Sequence, residues 1–179
     1  MKKPMLITAL AFLAFYSAGC SPFWHKKLSQ AAVREGGEAH RLAKYKSALI
    51  HFNNAIALDP DNSLAYSSRG AVYVAQGRYS LAIADLDKAI SIAPDHADSY
   101  FHRGEAYRKT GDMERAAADY TTAIALNPDN AKAYIRRATA YAKLGKNKEA
   151  AADLKKFLQY APTDIEAQKL LSSLTSPKK

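Results

Sequence analysis

The sequence predicts an all-α fold, built from four helix-turn-helix repeats and a C-terminal capping helix. The first observation is a proline that recurs every 34 residues, at Pro60, Pro94, Pro128 and Pro162. The second is that small and aromatic residues recur at fixed places within that period. The third is the composition: 8 glycines and 7 prolines among 179 residues are too few for a loop-rich all-β chain, and 48% apolar residues suffice for a packed core.

The N-terminal segment, residues 1–19, is predicted to be an export signal. Lys2 and Lys3 precede an apolar run of twelve residues from Met5 to Tyr16. This run is too short to cross a bilayer as an ordinary helix, which needs about 20 apolar residues, and its length suits a signal peptide. The single cysteine, Cys20, follows it, so neither an intramolecular disulfide nor a cysteine-based zinc site is expected.

The end of this segment resembles the lipobox of bacterial lipoproteins, in which small residues precede a cysteine. Ala18 and Gly19 fit that pattern, and Ser17 stands where the family usually has leucine. The resemblance implies cleavage before Cys20 and lipidation of its thiol and new amino group, and several acyl chains anchor a protein more firmly than one. Ser21, rather than aspartate, then implies the periplasmic side of the bacterial outer membrane. The alternative is an ordinary secretory signal with a free cysteine.

Residues 20–28 are predicted to link this anchor to the folded domain. The eight residues from 21 to 28 reach about 28 Å when fully extended, which would keep the domain close to the membrane. Two interpretations are open for the aromatic and basic residues of this linker. They rest at the lipid interface, where amphipathic aromatic rings are favoured, or they cover the open end of the first helix. The residues are Phe23, Trp24, Lys26 and Lys27.

Placing each proline at position 32 defines four repeats: 29–62, 63–96, 97–130 and 131–164. Position 8 is glycine or alanine in all four, position 20 is always alanine, and positions 4 and 11 are tyrosine in the last three. Positions 4, 8 and 11 share one face of a first helix, and positions 20, 24 and 27 share one face of a second. Small residues at 8 and 20 allow the two helices to approach closely. Position 24 is Phe52, Leu86, Tyr120 and Leu154.

The helix ends are also marked in the sequence. Glycines 77, 111 and 145 lie between the paired helices, where glycine takes the left-handed conformation that ends a helix. Asn62, Asn130 and Asp164 follow the prolines and are predicted N-caps. Residues 165–179 are predicted to be a capping helix and a disordered tail. The apolar side of this helix is expected to close the last repeat; it consists of Ile165, Leu170, Leu171 and Leu174.

These repeated positions resemble the tetratricopeptide-repeat (TPR) family over residues 29–164. The resemblance implies a right-handed superhelix whose concave groove is lined by positions 2, 5, 9, 12 and 13 of each first helix. Phe101 and Ile135 are expected to anchor a partner, because the hairpin core does not need them. The candidate protein-binding groove is Phe101, Glu105, Arg108, Lys109, Lys132, Ile135, Thr139 and Lys143.

The TPRs that clamp a C-terminal carboxylate carry lysine at position 5 and asparagine at position 9. None of the four repeats has that pair; repeat 3 has Phe101 and Glu105, and repeat 4 has Ile135 and Thr139. The sequence therefore favours a groove for an extended or helical segment with apolar anchors.

An arginine–aspartate pattern recurs inside the last three repeats. Each of them has arginine at position 7 and aspartate at position 23, whereas repeat 1 has Glu35 and His51. We interpret the pattern as a structural ion pair between the two helices, since an arginine fork suits a partly buried carboxylate. Contact with a ligand is the alternative. The pairs are Arg69 with Asp85, Arg103 with Asp119, and Arg137 with Asp153.

The net charge of +9 is unevenly distributed, and repeat 4 alone carries eight basic and three acidic residues. Such an end either steers an acidic partner or is a solvated helical face. The sequence has no phosphate-binding glycine loop and no nucleophile elbow, and His96 and His102 are six residues apart, a spacing that does not place them on one helix face. We therefore expect no enzyme activity, no metal, no cofactor and no nucleic-acid partner.

Together these features predict a non-enzymatic scaffold, lipid-anchored in the bacterial envelope, that recruits a protein or peptide segment through its groove. A lipobox followed by TPRs resembles NlpI-type lipoproteins, which recruit envelope proteases and cell-wall hydrolases. The alternative is a permanent structural subunit of an outer-membrane or pilus assembly machine. A homodimer formed through repeat 1 or Phe157 is also open.

Overall fold

The computed structural model describes residues 22–176; the predicted signal segment, Cys20 and residues 177–179 lie outside this range. The described residues form nine α-helices and no strand, which confirms the all-α prediction. The helices are α1 (Pro22–Arg41), α2 (Tyr45–Leu58), α3 (Ser63–Ala75), α4 (Tyr79–Ile92), α5 (Ala97–Thr110), α6 (Met113–Leu126), α7 (Ala131–Lys143), α8 (Asn147–Tyr160) and α9 (Ile165–Thr175).

The first eight helices pack as four hairpins, and each hairpin packs on the next. The predicted superhelix of four repeats plus a terminal helix is confirmed. The first helices of neighbouring repeats also touch one another, in the pairs α1–α3, α3–α5 and α5–α7, whereas the second helices within residues 22–176 make no comparable contacts. The first helices therefore lie on the inner, concave side of the curved stack.

The helix ends follow from local chemistry. The side chains of Asn62, Asn130 and Asp164 each accept a hydrogen bond from the backbone amide three residues later, at 3.1, 3.2 and 2.9 Å. These bonds satisfy amides that have no partner within the helix. The second helices end two residues before each proline, because the residue before a proline is driven away from helical angles.

The turns inside the hairpins require a left-handed residue. Gly77, Gly111 and Gly145 have φ angles of 74°, 92° and 73°. Repeat 1 has Ala43 at the same place, and its φ angle of 54° is also left-handed. An alanine in this region costs about 1–2 kcal/mol, so the turn of repeat 1 is strained.

Close approach of the paired helices explains the small residues at position 8. A Cβ atom at Gly70 would lie 2.7 Å from Leu86 Cγ, and one at Gly104 would lie 2.9 Å from the ring of Tyr120. Both distances are shorter than a van der Waals contact. In the three repeats with glycine at position 8, the large residue at position 24 of the second helix therefore fills the space that the missing side chain leaves.

The start of the first helix differs from the predicted linker. Residues 22–28 are helical and continue directly into Ser29. Pro22 suits the first turn of a helix, and Ser29 ties this segment to α2 because its buried Oγ donates to the carbonyl of Ala55 at 2.8 Å. As a helix, seven residues span about 10 Å, so the extended reach of the linker does not apply to them.

The terminal helix α9 covers the last repeat, with one difference from the prediction. Leu170, Leu171 and Leu174 pack against the cluster that contains Leu154. Ile165 is exposed instead, because the helical period places it on the side of α9 that faces away from this cluster.

Candidate protein-binding groove

The concave groove is built by α5 and α7, the first helices of repeats 3 and 4. Lys109, Lys132 and Lys143 are exposed there. None of the three is in an ion pair with another residue in the range 22–176. Thr139 is half-buried and donates its hydroxyl to the carbonyl of Ile135 at 2.8 Å, so it has its own helix as a partner. The groove thus presents three cationic side chains with no protein counterion in the described range.

Phe101 and Ile135 both pack against the core, contrary to the expectation that the core does not need them. The ring of Phe101 lies 5.8 Å from that of Tyr120 and packs against two core clusters, one in repeat 3 and one that includes Tyr134. Ile135 packs beside the cluster that contains Leu154. Both side chains are half-buried, because the groove surface and the contact between repeats use the same positions. Each side chain keeps an exposed portion.

Glu105 is the centre of a half-buried polar cluster in the same groove. Its carboxylate accepts hydrogen bonds from Arg108 Nε and Nη2, at 3.0 and 2.9 Å, and from the hydroxyl of Tyr120. Arg136 Nε of the next repeat lies 3.4 Å away. The cluster therefore joins α5, α6 and α7.

The electrostatics of this cluster keep the carboxylate ionised. Burial would raise the pKa of Glu105, but hydrogen bonds from Arg108 and Tyr120, with the charges of Arg108 and Arg136, outweigh it and lower the pKa below its usual value. Burial and the neighbouring carboxylate raise the pKa of Tyr120 well above its usual value. Glu105 is thus a fixed acceptor and Tyr120 a fixed donor.

The Tyr120 and Arg136 contacts were missed at the sequence level. A signal for the first was present: repeat 3 has tyrosine at position 24, where the other repeats have phenylalanine or leucine. A buried tyrosine needs a partner for its hydroxyl, and Glu105 on the facing helix supplies it. No comparable signal marked Arg136, which was counted only among the basic residues of repeat 4.

The arginine–aspartate pattern lies between the helices rather than in the groove. Each arginine donates from Nε and Nη2 to both oxygens of the aspartate in its own repeat, over 2.7–2.9 Å. The third nitrogen, Nη1, reaches the second helix of the preceding repeat. Its acceptors are Asn53 for Arg69 (2.7 Å), Asp87 for Arg103 (2.6 Å) and Thr121 for Arg137 (3.1 Å).

Each arginine therefore connects three helices from two repeats. The polar residue that receives Nη1 stands at position 25, which the sequence analysis did not single out. All three guanidinium nitrogens of each arginine have partners in the protein, which favours the structural interpretation over ligand contact. Repeat 1 has the reverse polarity, with His51 Nδ1 3.2 Å from Glu35 Oε2.

Other chemistry in the described range is limited. His96 Nδ1 lies 2.8 Å from the hydroxyl of Ser99, and burial lowers the pKa of His102. Residues 22–176 bring no three metal-ligating side chains together. Within the same range, each helix is too short or too polar to traverse a lipid bilayer.

Comparison with protein families matches this geometry to known repeats. A family model described as TPR repeat matches residues 40–77, 70–111 and 104–145. A second, described as tetratricopeptide repeat, matches residues 131–164. None of the curated protein sequences is significantly similar to the chain.

Solved structures share the fold at low sequence identity. MamA is 22% identical with a TM-score of 0.73, covering 83% of this chain and 81% of its own. YrrB, described as a TPR protein with an unusual peptide-binding site, is 20% identical with a TM-score of 0.70, covering 80% and 74%. The first TPR of Spaghetti, bound to the HSP90 peptide SRMEEVD, is 21% identical with a TM-score of 0.65, covering 67% and 95%.

Proposed function

Because the chain belongs to the tetratricopeptide-repeat family, whose fold is typical of protein–protein interaction scaffolds, we propose that it is a non-enzymatic adaptor that holds a segment of a partner protein in its concave groove. The observation that carries this proposal is the surface made by α5 and α7. It carries the exposed lysines 109, 132 and 143 on the same two helices as the partly exposed side chains of Phe101 and Ile135.

The chemistry of this surface defines the partner segment. Three cations without a counterion in the described range favour acidic side chains, and the exposed portions of Phe101 and Ile135 favour an apolar residue between them. Two structures of the same fold are described with peptide binding, and one of those peptides, SRMEEVD, is acidic. That likeness supports the binding of a peptide segment in the groove. The residues of this chain at positions 5 and 9 are not the lysine and asparagine of the TPRs that clamp a C-terminal carboxylate.

We propose the bacterial envelope as the place of this binding. Support comes from the apolar run Met5–Tyr16 and the small residues before Cys20. Lipidation of Cys20 would hold the scaffold at the periplasmic side of the outer membrane. Mass spectrometry of the mature chain tests this directly: cleavage before Cys20 and the mass of three acyl chains are expected, and an unmodified Cys20 contradicts it.

The groove is tested by reversing exposed charges without disturbing the core. The groove variant carries Lys109→Glu, Lys132→Glu and Lys143→Glu. The control variant carries Lys88→Glu, Lys148→Glu and Lys155→Glu, an equal change of charge on exposed residues of the second helices. Both variants should keep the helical circular dichroism of the wild type, because all six side chains point to solvent.

Binding is read out in two steps. Cross-linked pull-downs from solubilised envelope identify partners, and fluorescence anisotropy with acidic segments of those partners measures affinity. We expect the groove variant to lose about tenfold or more in affinity and the control variant to stay near wild type. Equal loss in both variants would show a response to net charge alone, and no loss in either would remove the groove from the interface.

A further inference from the structure

The first two turns of α1 carry an exposed aromatic cluster outside the four repeats. Phe23, Trp24 and Leu28 are 58%, 54% and 49% exposed. The rings of Phe23 and Trp24 meet edge to face at 5.8 Å, and Lys27 Nζ lies 4.6 Å from the Phe23 ring and 5.6 Å from the Trp24 ring. We call these four side chains the N-terminal aromatic cluster.

The cluster lies on the face of α1 opposite the core. Ser29 and Val33 are the buried residues of this part of the helix, and the helical period places Phe23, Trp24, Lys27 and Leu28 on the other side. One of the two interpretations of Phe23 and Trp24 was that they cover the open end of the first helix. That interpretation would require both side chains to be buried. In the structure more than half of Phe23 and more than half of Trp24 is exposed, so these two residues do not cover the repeat.

The charge of this helix end is one-sided. From Pro22 to Arg34 the chain contains Lys26, Lys27 and Arg34 and no acidic residue. The first turn of a helix ordinarily favours acidic residues, which interact well with the positive end of the helix dipole, and α1 has none there. Lys27 lies over the rings of the cluster, whereas Lys26 is exposed and lines a pocket that also contains Asp59 and Asp61. The two lysines give this part of α1 a positive charge, to which an anionic surface is complementary.

The N-terminal part of the sequence, outside the described range, leads directly into this end of α1. The apolar run Met5–Tyr16 finishes six residues before Pro22, and Cys20 is two residues before it. In the unprocessed chain this apolar run, and after cleavage a lipidated Cys20, would hold close to a membrane a helix end that combines aromatic rings with lysines. Aromatic rings favour the headgroup depth of a bilayer, and lysines are attracted to anionic lipid.

We propose that the N-terminal aromatic cluster, with Lys26, seats the first two turns of α1 in the headgroup region of an anionic lipid surface. This contact goes beyond the groove function and does not require acylation of Cys20. It is a second attachment point, and it sets how the first repeat meets the membrane.

Trp24 is the single tryptophan of the chain, so its fluorescence reports on this cluster alone. The full-length chain with Cys20→Ser is reconstituted into phosphatidylcholine vesicles with and without phosphatidylglycerol. Quenching of Trp24 by brominated lipids measures contact with acyl chains, and quenching by acrylamide measures contact with water. The matched variant is Lys26→Glu with Lys27→Glu, which keeps the leader, the rings and the helix.

In vesicles with phosphatidylglycerol, we expect brominated lipid to quench Trp24 and acrylamide not to reach it. In the double-lysine variant we expect Trp24 to return to water. Each lysine near an anionic surface raises the ratio of membrane-bound to water-exposed helix ends by about fivefold, so reversing both charges should lower that ratio by about thirtyfold or more. A second variant, Phe23→Ser with Leu28→Ser, should also expose Trp24 while leaving both charges in place.

Three results would overturn the proposal. Acrylamide quenching that is as strong in the wild type as in the double-lysine variant would leave Trp24 in water. Protection from both quenchers would show that protein, such as a second copy of the chain, covers the cluster. Equal quenching by brominated lipid with and without phosphatidylglycerol would show that anionic headgroups play no part.

Discussion

Arg103 donates two hydrogen bonds to Asp119, one to each carboxylate oxygen, at 2.9 and 2.8 Å. The two residues stand on the paired helices of repeat 3, and Asp119 is only 6% exposed. The same guanidinium reaches Asp87 of the preceding repeat at 2.6 Å. One side chain therefore holds a hairpin together and joins it to its neighbour.

Asp119→Ala should lower the free energy of unfolding by about 3 kcal/mol, because it leaves a largely buried arginine without its main counterion. Asp87→Ala removes the exposed partner of the same arginine and should cost about 0.5 kcal/mol. Urea denaturation followed by circular dichroism measures both. Peptide affinity of the folded Asp119→Ala variant should match wild type; a selective loss of affinity with unchanged stability would point to a ligand site.

Tyr120→Phe tests the half-buried polar cluster around Glu105. The ring still fills the space beside Gly104, but the carboxylate loses one of its donors, and we expect a loss of about 1–2 kcal/mol. Tyr73→Phe is the control, since no hydrogen bond of its hydroxyl is seen among residues 22–176. Equal unfolding midpoints for Tyr120→Phe and wild type would contradict the importance of this bond.

Ala43→Gly should stabilise the protein. The φ angle of 54° is costly for alanine and not for glycine, so we expect a gain of about 1 kcal/mol. Ala84→Gly applies the same exchange at an exposed position in the interior of α4 and should cost about 1 kcal/mol. Thermal unfolding of the two variants should shift in opposite directions, and a downward shift for Ala43→Gly would refute the strain.

Stability should fall as the solution is made acidic below neutral pH. Burial lowers the pKa of both His102 and His40. An unfolded imidazole titrates near about 6.5, so the unfolded chain takes up protons before the folded one does, and each added proton favours unfolding. The contribution is fully present above that pKa and is lost as the pH falls through the folded values.

The pH effect is measured as the free energy of unfolding at pH values on either side of the histidine range. Nearby Asp98 and Glu105 favour protonation of His102, whereas His40 and His96 oppose it. Replacing His40 and His102 with glutamine should flatten the pH dependence. An unchanged slope in this double variant would assign the effect to other groups.

The repeated elements could be predicted from the sequence because they are encoded locally. Position 8 and position 24 constrain each other within one hairpin, and glycine, asparagine and proline mark the ends of helices through their own backbone chemistry. The family match confirms this part. The pairing of position 7 with position 23 was also visible, since the two residue types vary together from repeat to repeat.

Contacts between repeats were harder to infer. The acceptors of Nη1 at position 25 are asparagine, aspartate and threonine, which share hydrogen-bonding capacity but no residue type. Phe101 was assigned to the groove alone because its neighbours Tyr120 and Tyr134 belong to different helices. The helical start at Pro22 was missed because no repeat pattern extends to it.

The arginines that span neighbouring hairpins bear on how the array loses its structure. In a linear array, the coupling between adjacent units decides whether they melt separately or together. Arg69, Arg103 and Arg137 place one such link at each of the three junctions. The four hairpins should therefore exchange their amide hydrogens as one cooperative block, with fraying confined to its two ends.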